Sequence, residues 1–256
     1  MALLLLLFSA FEFAGYTGRS GSMIAGAAVP DGQHAFFLNP ALAVGGARFQ
    51  SGACYCRPYG LSGLTWGRVG GGWSSGRLAA GVAFSALGLG RYGEHDAQAV
   101  VAGMPVSGVA VGLGMHALLV RNGQDYGDFA PALDAGVCWE TGRFRVGAAG
   151  LRVNSPRWHD GTELPTRFVL AGSWQPVDEV LLAADVGREQ NDEDAAFGVE
   201  FRPIPQLGLR TGVGVAPLRM AAGLGAAVGP VGVEYAYQFH PVLKETHVLG
   251  LRAAWH

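Results

Sequence analysis

The chain has 256 residues, half of them hydrophobic and only 15% charged. A soluble domain usually carries nearer a quarter charged residues, yet beyond residue 15 no apolar run approaches the roughly 18 residues a membrane helix needs. A net charge of −2 leaves no basic footprint for nucleic acid, and the 41 glycines follow no Gly-X-Y period, which excludes collagen.

The chain opens MALLLLLFSAFEFAG. An apolar stretch from Leu3 to Phe8, followed by the small residues Ala10 and Ala14, reads as a secretory signal over residues 1–14. Two features depart from that pattern: no Lys or Arg precedes the apolar stretch, and Glu12 stands three residues before the expected cut. Residues 15–45 do not alternate. They contain AFFLNPAL at 35–42 and are expected to form a short plug-like helix or loop.

From 46 to 256 the pattern is period two, broken by Gly, Pro, Asp and Asn, the mark of half-buried strands. In 231–240, Val231, Val233, Tyr235, Tyr237 and Phe239 oppose Gly232, Glu234, Ala236, Gln238 and His240. The same opposition recurs in 131–140, 195–203, 207–215 and 218–228. Candidate strands lie at 47–55, 61–69, 77–88, 95–103, 108–119, 131–140, 143–153, 166–175, 179–188, 195–203, 207–215, 218–228, 231–240 and 246–255. They number about fourteen, an even count, and most have the length of a tilted membrane strand. The fold expected is therefore all-β: a transmembrane antiparallel up-and-down β-barrel with a short plug-like segment inside. Water-facing sheets carry more Lys, Glu and Thr than these polar faces, which are rich in Gly and Ala with isolated charges.

Placing the N-terminus in the periplasm makes 120–130, 154–165, 189–194 and 241–245 outside loops, and 104–107, 141–142, 176–178, 204–206 and 229–230 inside turns. Ala216-Pro217 is too short for an outside loop, and 70–76 is long for an inside turn. Aromatics at strand ends, among them Trp66, Trp139, Trp174, Tyr235, Phe239 and Trp255, suit the girdles at the two membrane interfaces.

No motif carries catalytic chemistry. The GxGxxG at Gly88, Gly90 and Gly93 precedes a strand rather than the helix a dinucleotide site needs. His240, His247 and Glu245 make a poor metal set and read better as a hydrogen-bonded loop. HExxH does not occur. Cys54, Cys56 and Cys138 form no CxxC and read as small apolar residues on strands, with a disulfide involving Cys138 as the lesser alternative. Asp134, Asp185, Glu200 and Glu234 fall on the bore-facing side with Arg145, Arg167, Arg210, Arg219 and Arg252. They read as an ion-pair network, since an unpaired charge in a low-dielectric bore is costly. No cofactor or metal is expected.

Asn39-Pro40-Ala41, within AFFLNPALA (35–43), resembles the N-terminal NPA motif of FadL-type fatty-acid transporters and of PorV/PorQ-type outer-membrane proteins. LDAGVCWE (133–140), FRVGAAGLRVNSP (144–156), LPTRFVLAGSWQP (164–176), LLAADV (181–186), FGVEFRP (197–203), LGLRTGVG (207–214) and the ending VEYAYQFHPVLKETHVLGLRAAW (233–255) resemble the PorV type more closely. The resemblance implies a fourteen-stranded barrel with an N-terminal segment inside; the final strand, THVLGLRAAWH, with Trp255 next to last, looks like the signal read by the barrel-assembly machinery, so a place in the lipid of the bacterial outer membrane is expected. The resemblance leaves two roles: a channel or binding site for small hydrophobic molecules, or a structural, secretion-associated barrel that binds a protein partner. For the first role the residues expected at the ligand are Phe36, Phe37 and Leu38, with Asn39 and Pro40 as the structural plug motif.

Overall fold

In the computed structural model, residues 17–29, 36–123 and 126–255 are described. The expected signal at 1–14 lies outside them. Fourteen strands close into one antiparallel barrel in simple up-and-down order, with β1 pairing β14. They are β1 (Phe49–Arg57), β2 (Leu64–Ser74), β3 (Leu78–Leu89), β4 (Tyr92–Val106), β5 (Val109–Asn122), β6 (Tyr126–Thr141), β7 (Phe144–Leu151), β8 (Arg167–Val177), β9 (Val180–Glu189), β10 (Asp192–Ile204), β11 (Leu207–Val215), β12 (Arg219–Val228), β13 (Val231–His240) and β14 (Lys244–Trp255). Every candidate strand read from the alternation has its counterpart. Closure leaves no edge strand with unpaired backbone groups, the condition for a sheet to stand in lipid.

Alternation decides the two faces. Along β3, Leu78, Val82 and Phe84 are exposed while Ala79, Ala83 and Leu87 are buried. On β13 and β14, Val233, Tyr237, Leu249 and Leu251 point outward and Glu234, Ala236 and Val248 point in. The outer surface is therefore apolar around the whole barrel, as a bilayer requires. At one end Phe49 lies between Trp255 and Trp73 across the sheet. At the same end the Phe144 and Trp174 rings stack 5.6 Å apart. Trp66, expected in such a girdle, instead faces inward and is fully buried. Arg68 shares its face of β2, and an arginine there cannot point into lipid without large cost.

The loops differ from expectation. The strands run further than the alternation indicated, so 120–130 and 189–194 are largely strand, and 70–74 belong to β2. Both ends of the barrel carry short connections, with one exception: residues 152–166, between β7 and β8. That end is called the loop end here, and the end where β1 begins and β14 finishes the turn end. The Gly-rich motif is a hairpin, with Gly88 in β3, Gly90 at its turn and Gly93 in β4.

Inside the barrel the described N-terminal residues form helix α1 (Gly18–Met23) and a 3₁₀ turn (Pro40–Ala43). Thr17 caps α1: its hydroxyl accepts from the Ser20 N–H, and the Ser20 hydroxyl accepts from the Thr17 N–H, the reciprocal pattern of a capping box. Asn39 caps the 3₁₀ turn by accepting the Ala41 N–H.

Candidate functional site: the filled bore

Glycine makes room for the inner segment. A Cβ on Gly198 would lie 2.5 Å from the Met23 carbonyl oxygen, and one on Gly212 would collide with the same carbonyl. Cβ atoms on Gly112 and Gly136 would collide with Pro40 and Asn39. The wall thus offers two backbone-deep seats, one for α1 on β10–β12 and one for the Asn39-Pro40 turn on β5 and β6.

Polar groups fix both seats. Arg19 Nε and Nη2 donate to Glu200 Oε2 and Oε1 at 2.8 and 2.9 Å. Arg210 Nε donates to Glu200 Oε2 at 2.6 Å, its Nη2 stands 3.3 Å from Glu234, and Arg202 closes on Glu200 from the rim. Gln238 Nε2 donates to the Gly21 carbonyl at 2.7 Å. Asp185 Oδ2 accepts the Gly26 and Ala27 N–H groups at 2.7 and 3.0 Å. Asn39 Nδ2 donates to the Val137 carbonyl at 3.2 Å and the Ala27 carbonyl at 3.3 Å.

The ion-pair network expected from the sequence is present but divided. Glu200, Glu234, Arg210 and Arg252 gather towards the turn end. Arg167 and Arg219 meet at Asp194 towards the loop end, with Arg167 2.9 Å from it. Arg145 pairs Glu140 at the rim. Asp185 and Asp134 do otherwise: Asp185 holds backbone, and Asp134 joins a histidine cluster that composition did not reveal.

That cluster lies halfway along the bore. His116 Nδ1 is 2.9 Å from Asp96 Oδ1 and 3.1 Å from Oδ2, and its Nε2 is 2.9 Å from Asp134 Oδ2. A narrow cavity of about 20 Å³ is lined by these three residues with Phe37, Arg68, Leu118, Leu151 and Arg152. The Arg68 guanidinium lies 3.6 Å from the centre of the Phe37 ring, close enough for a cation–π contact.

Apolar side chains fill the space on either side. Towards the loop end, Leu64, Trp66, Leu87, Leu118 and Val248 face inward as one buried group with Cys54 and Cys56. Trp158 and Leu164, from the long loop, pack on it with Tyr59, Tyr92 and Leu243. Deeper in, Phe36 and Phe37 are buried against Ala79, Ala83, Val100 and Ala102. Leu38 packs beside Val169 and Ala171. Of the residues expected at a ligand, Phe36 and Phe37 are therefore in one group and Leu38 in another. The loop-end apolar group was missed. The signal was available: Trp66 stands two residues from Arg68, and Leu118 two residues from His116, so each pair shares a face of its strand.

The three cysteines are buried and no disulfide joins them, which excludes the disulfide alternative for Cys138 in this structure. His240 and His247 do not converge. The His240 ring accepts N–H groups of Val242 and Leu243 in its own loop, and His247 bonds the Tyr235 hydroxyl on the outer face.

No protein-family model matches the chain, and no curated protein sequence does. Solved structures do share its fold. A deltaS2 mutant of the TodX monoaromatic hydrocarbon channel superposes with a TM-score of 0.76 at 10% identity, over 96% of this chain and 100% of that one. The Pseudomonas putida toluene transporter TodX gives 0.70 at 12% identity, over 95% and 99%. A Pseudomonas aeruginosa FadL homologue gives 0.69 at 12% identity, over 94% and 98%. The barrel thus shares the fold of these barrels.

Proposed function

We propose that the protein is an outer-membrane channel for small, mostly apolar molecules, with residues 17–29 and 36–45 as its plug and the loop end facing outside. One observation carries this reading. The bore of an otherwise polar, glycine-lined barrel holds inward-facing Leu64, Trp66, Leu87, Leu118 and Val248 at its mouth, and Phe36 and Phe37 beyond. Apolar side chains facing a water-filled lumen would be wasted, whereas a row of them gives an apolar solute successive places to shed water. The neighbours named for hydrocarbon and toluene transport share the architecture.

Between the mouth and Phe37 stands the charged layer of Arg68, Asp96, His116, Asp134 and Arg152, around a cavity large enough for about one water. An apolar solute cannot cross that layer unpaired. Passage therefore needs the plug to shift, and no steady aqueous pore is expected. The partner-binding role resembling PorV-type barrels has no observation of its own in the bore.

The test is uptake of a monoaromatic probe such as toluene into proteoliposomes, comparing the wild type with Trp66→Arg. Uptake above protein-free vesicles that is lost in the variant is the expected result. Uptake equal to protein-free vesicles, or porin-like steady conductance in planar bilayers, would overturn the reading.

A further inference from the structure

Residues 152–166 connect β7 to β8 at the loop end, and two of them pack on the apolar group at the mouth of the barrel. The segment is tied to itself by the Trp158 N–H to Thr162 carbonyl and Leu164 N–H to Pro156 carbonyl bonds, and to β6 by the His159 N–H to Asp128 Oδ2 bond. Trp158 and Leu164 rest on the apolar group below. Its root is Arg152, whose N–H donates to Asp134 Oδ1 at 2.8 Å. The Arg152 side chain reaches the Pro165 carbonyl at 2.7 Å and Glu189 at 3.0 Å. Asp134 therefore holds the lid with one oxygen and His116 with the other.

We propose that His116 is a proton-operated latch for this lid: doubly protonated it holds Asp134 in place and the mouth closed, and neutral it releases the lid. Both ring nitrogens face carboxylate oxygens, so both must carry hydrogens, which only the imidazolium does. Gln98 Nε2 lies 3.1 Å from His116 Nε2. Turning that amide about sets its otherwise unbonded Oε1 against the same N–H, which the cation also favours.

The charged surroundings are these. β4 contributes Asp96, and Glu94, which the Tyr92 hydroxyl engages. β6 contributes Asp134, β2 contributes Arg68, and the lid root contributes Arg152, itself paired with Glu189. Among the described residues of the inner segment, Phe37 alone lines this cavity. Removal of one proton leaves a nitrogen lone pair against a carboxylate oxygen, and one of the two contacts must open. Asp96 meets Nδ1 with both oxygens, while Asp134 offers Nε2 one, so Asp134 is the side that gives. Arg152 lies at φ 56°, in the left-handed region that costs a non-glycine residue energy. Once Asp134 moves, that strain favours leaving the root. The inference concerns closure of the mouth and does not depend on what passes through it.

The experiment is acrylamide quenching of Trp158, read by difference against Trp158→Phe, on the full chain in detergent from about pH 5 to about pH 10, a range that spans imidazole titration. It stays above the titration of Asp160, whose carboxyl in the lid is held low by the Thr162 backbone and hydroxyl groups. The expected result is a rise in Trp158 quenching with pH in the wild type, and a flat profile, open throughout, in His116→Gln. Asp134→Asn, which removes the shared carboxylate, should also be flat. A wild-type profile without a step, or an unchanged step in folded His116→Gln or Asp134→Asn, overturns the proposal.

Discussion

Arg19 and Glu200 are joined by two parallel N–H···O bonds, 2.8 and 2.9 Å long, across a sequence separation of 181 residues. Both side chains are almost wholly buried. Two-point geometry of this kind is the strongest form of the arginine–carboxylate bond, and it pins α1 to β10.

Removing one partner should cost more than the pair contributes. Glu200→Gln leaves Arg19 and Arg210 facing an uncharged amide in the bore, a loss of about 3–5 kcal/mol by analogy with broken buried pairs. The expected outcome is a lower midpoint in the heat-modifiability gel shift, together with tryptic cleavage at Arg19 in the folded barrel. A midpoint equal to the wild type would show that α1 is not held by this pair.

The glycine seats make a sharper comparison. Gly212→Ala and Gly136→Ala each put a methyl group into the inner segment, at Met23 and Asn39, and overpacking of this kind costs about 1–3 kcal/mol. Gly172→Ala is the control, since its Cβ would meet nothing nearer than a carbonyl oxygen at 3.9 Å. Thermal unfolding followed by circular dichroism should separate the first two from the third.

Asn39 makes three hydrogen bonds while fully buried. Asn39→Ala strands the Ala41 N–H and the Val137 and Ala27 carbonyls, and should destabilise by about 1–3 kcal/mol. Asn39→Asp keeps an acceptor for the Ala41 N–H but sets a buried carboxylate against the Ala27 and Val137 carbonyl oxygens, so urea titration should rank it no higher than the alanine variant.

Facing can be read in lipid. Leu249, near the middle of β14, points outward, and Leu249→Arg should cost roughly 2–4 kcal/mol in vesicle folding titrations. Gln238 reads from the alternation as a tolerant bore position. Its bond to the Gly21 carbonyl makes Gln238→Ala a test of α1 docking, expected to raise protease access to residues 17–29. Equal tolerance at 249 and 238 would argue against the assigned faces.

The strands, their order and their faces were legible because a two-residue period bounded by Gly, Pro, Asp and Asn survives wherever one face meets lipid. Strand ends were not: β5 and β6 run on through Arg121 and Tyr126, where the outward residues turn polar and the alternation fades before the pairing stops. Trp66 was placed on the wrong face by its residue type, although Arg68 beside it settles the parity. The site was harder to read. Asp96, His116 and Asp134 come from three neighbouring strands, and their meeting depends on register, which one strand's alternation cannot supply. Arg19 and Glu200 lie too far apart in the chain for any local pattern to join them.

The seats for α1 also bear on the order of assembly. Gly198, Gly212 and Gly223 stand on β10, β11 and β12, and Gln238 on β13, while the residues they receive are near the start of the chain. During synthesis the segment emerges long before any of its seats exists, and pairing over such separations is slow. The helix can find its place only when the C-terminal strands have come together. Docking of the N-terminal segment is therefore a late event, and in an unfinished barrel the segment has no seat to enter.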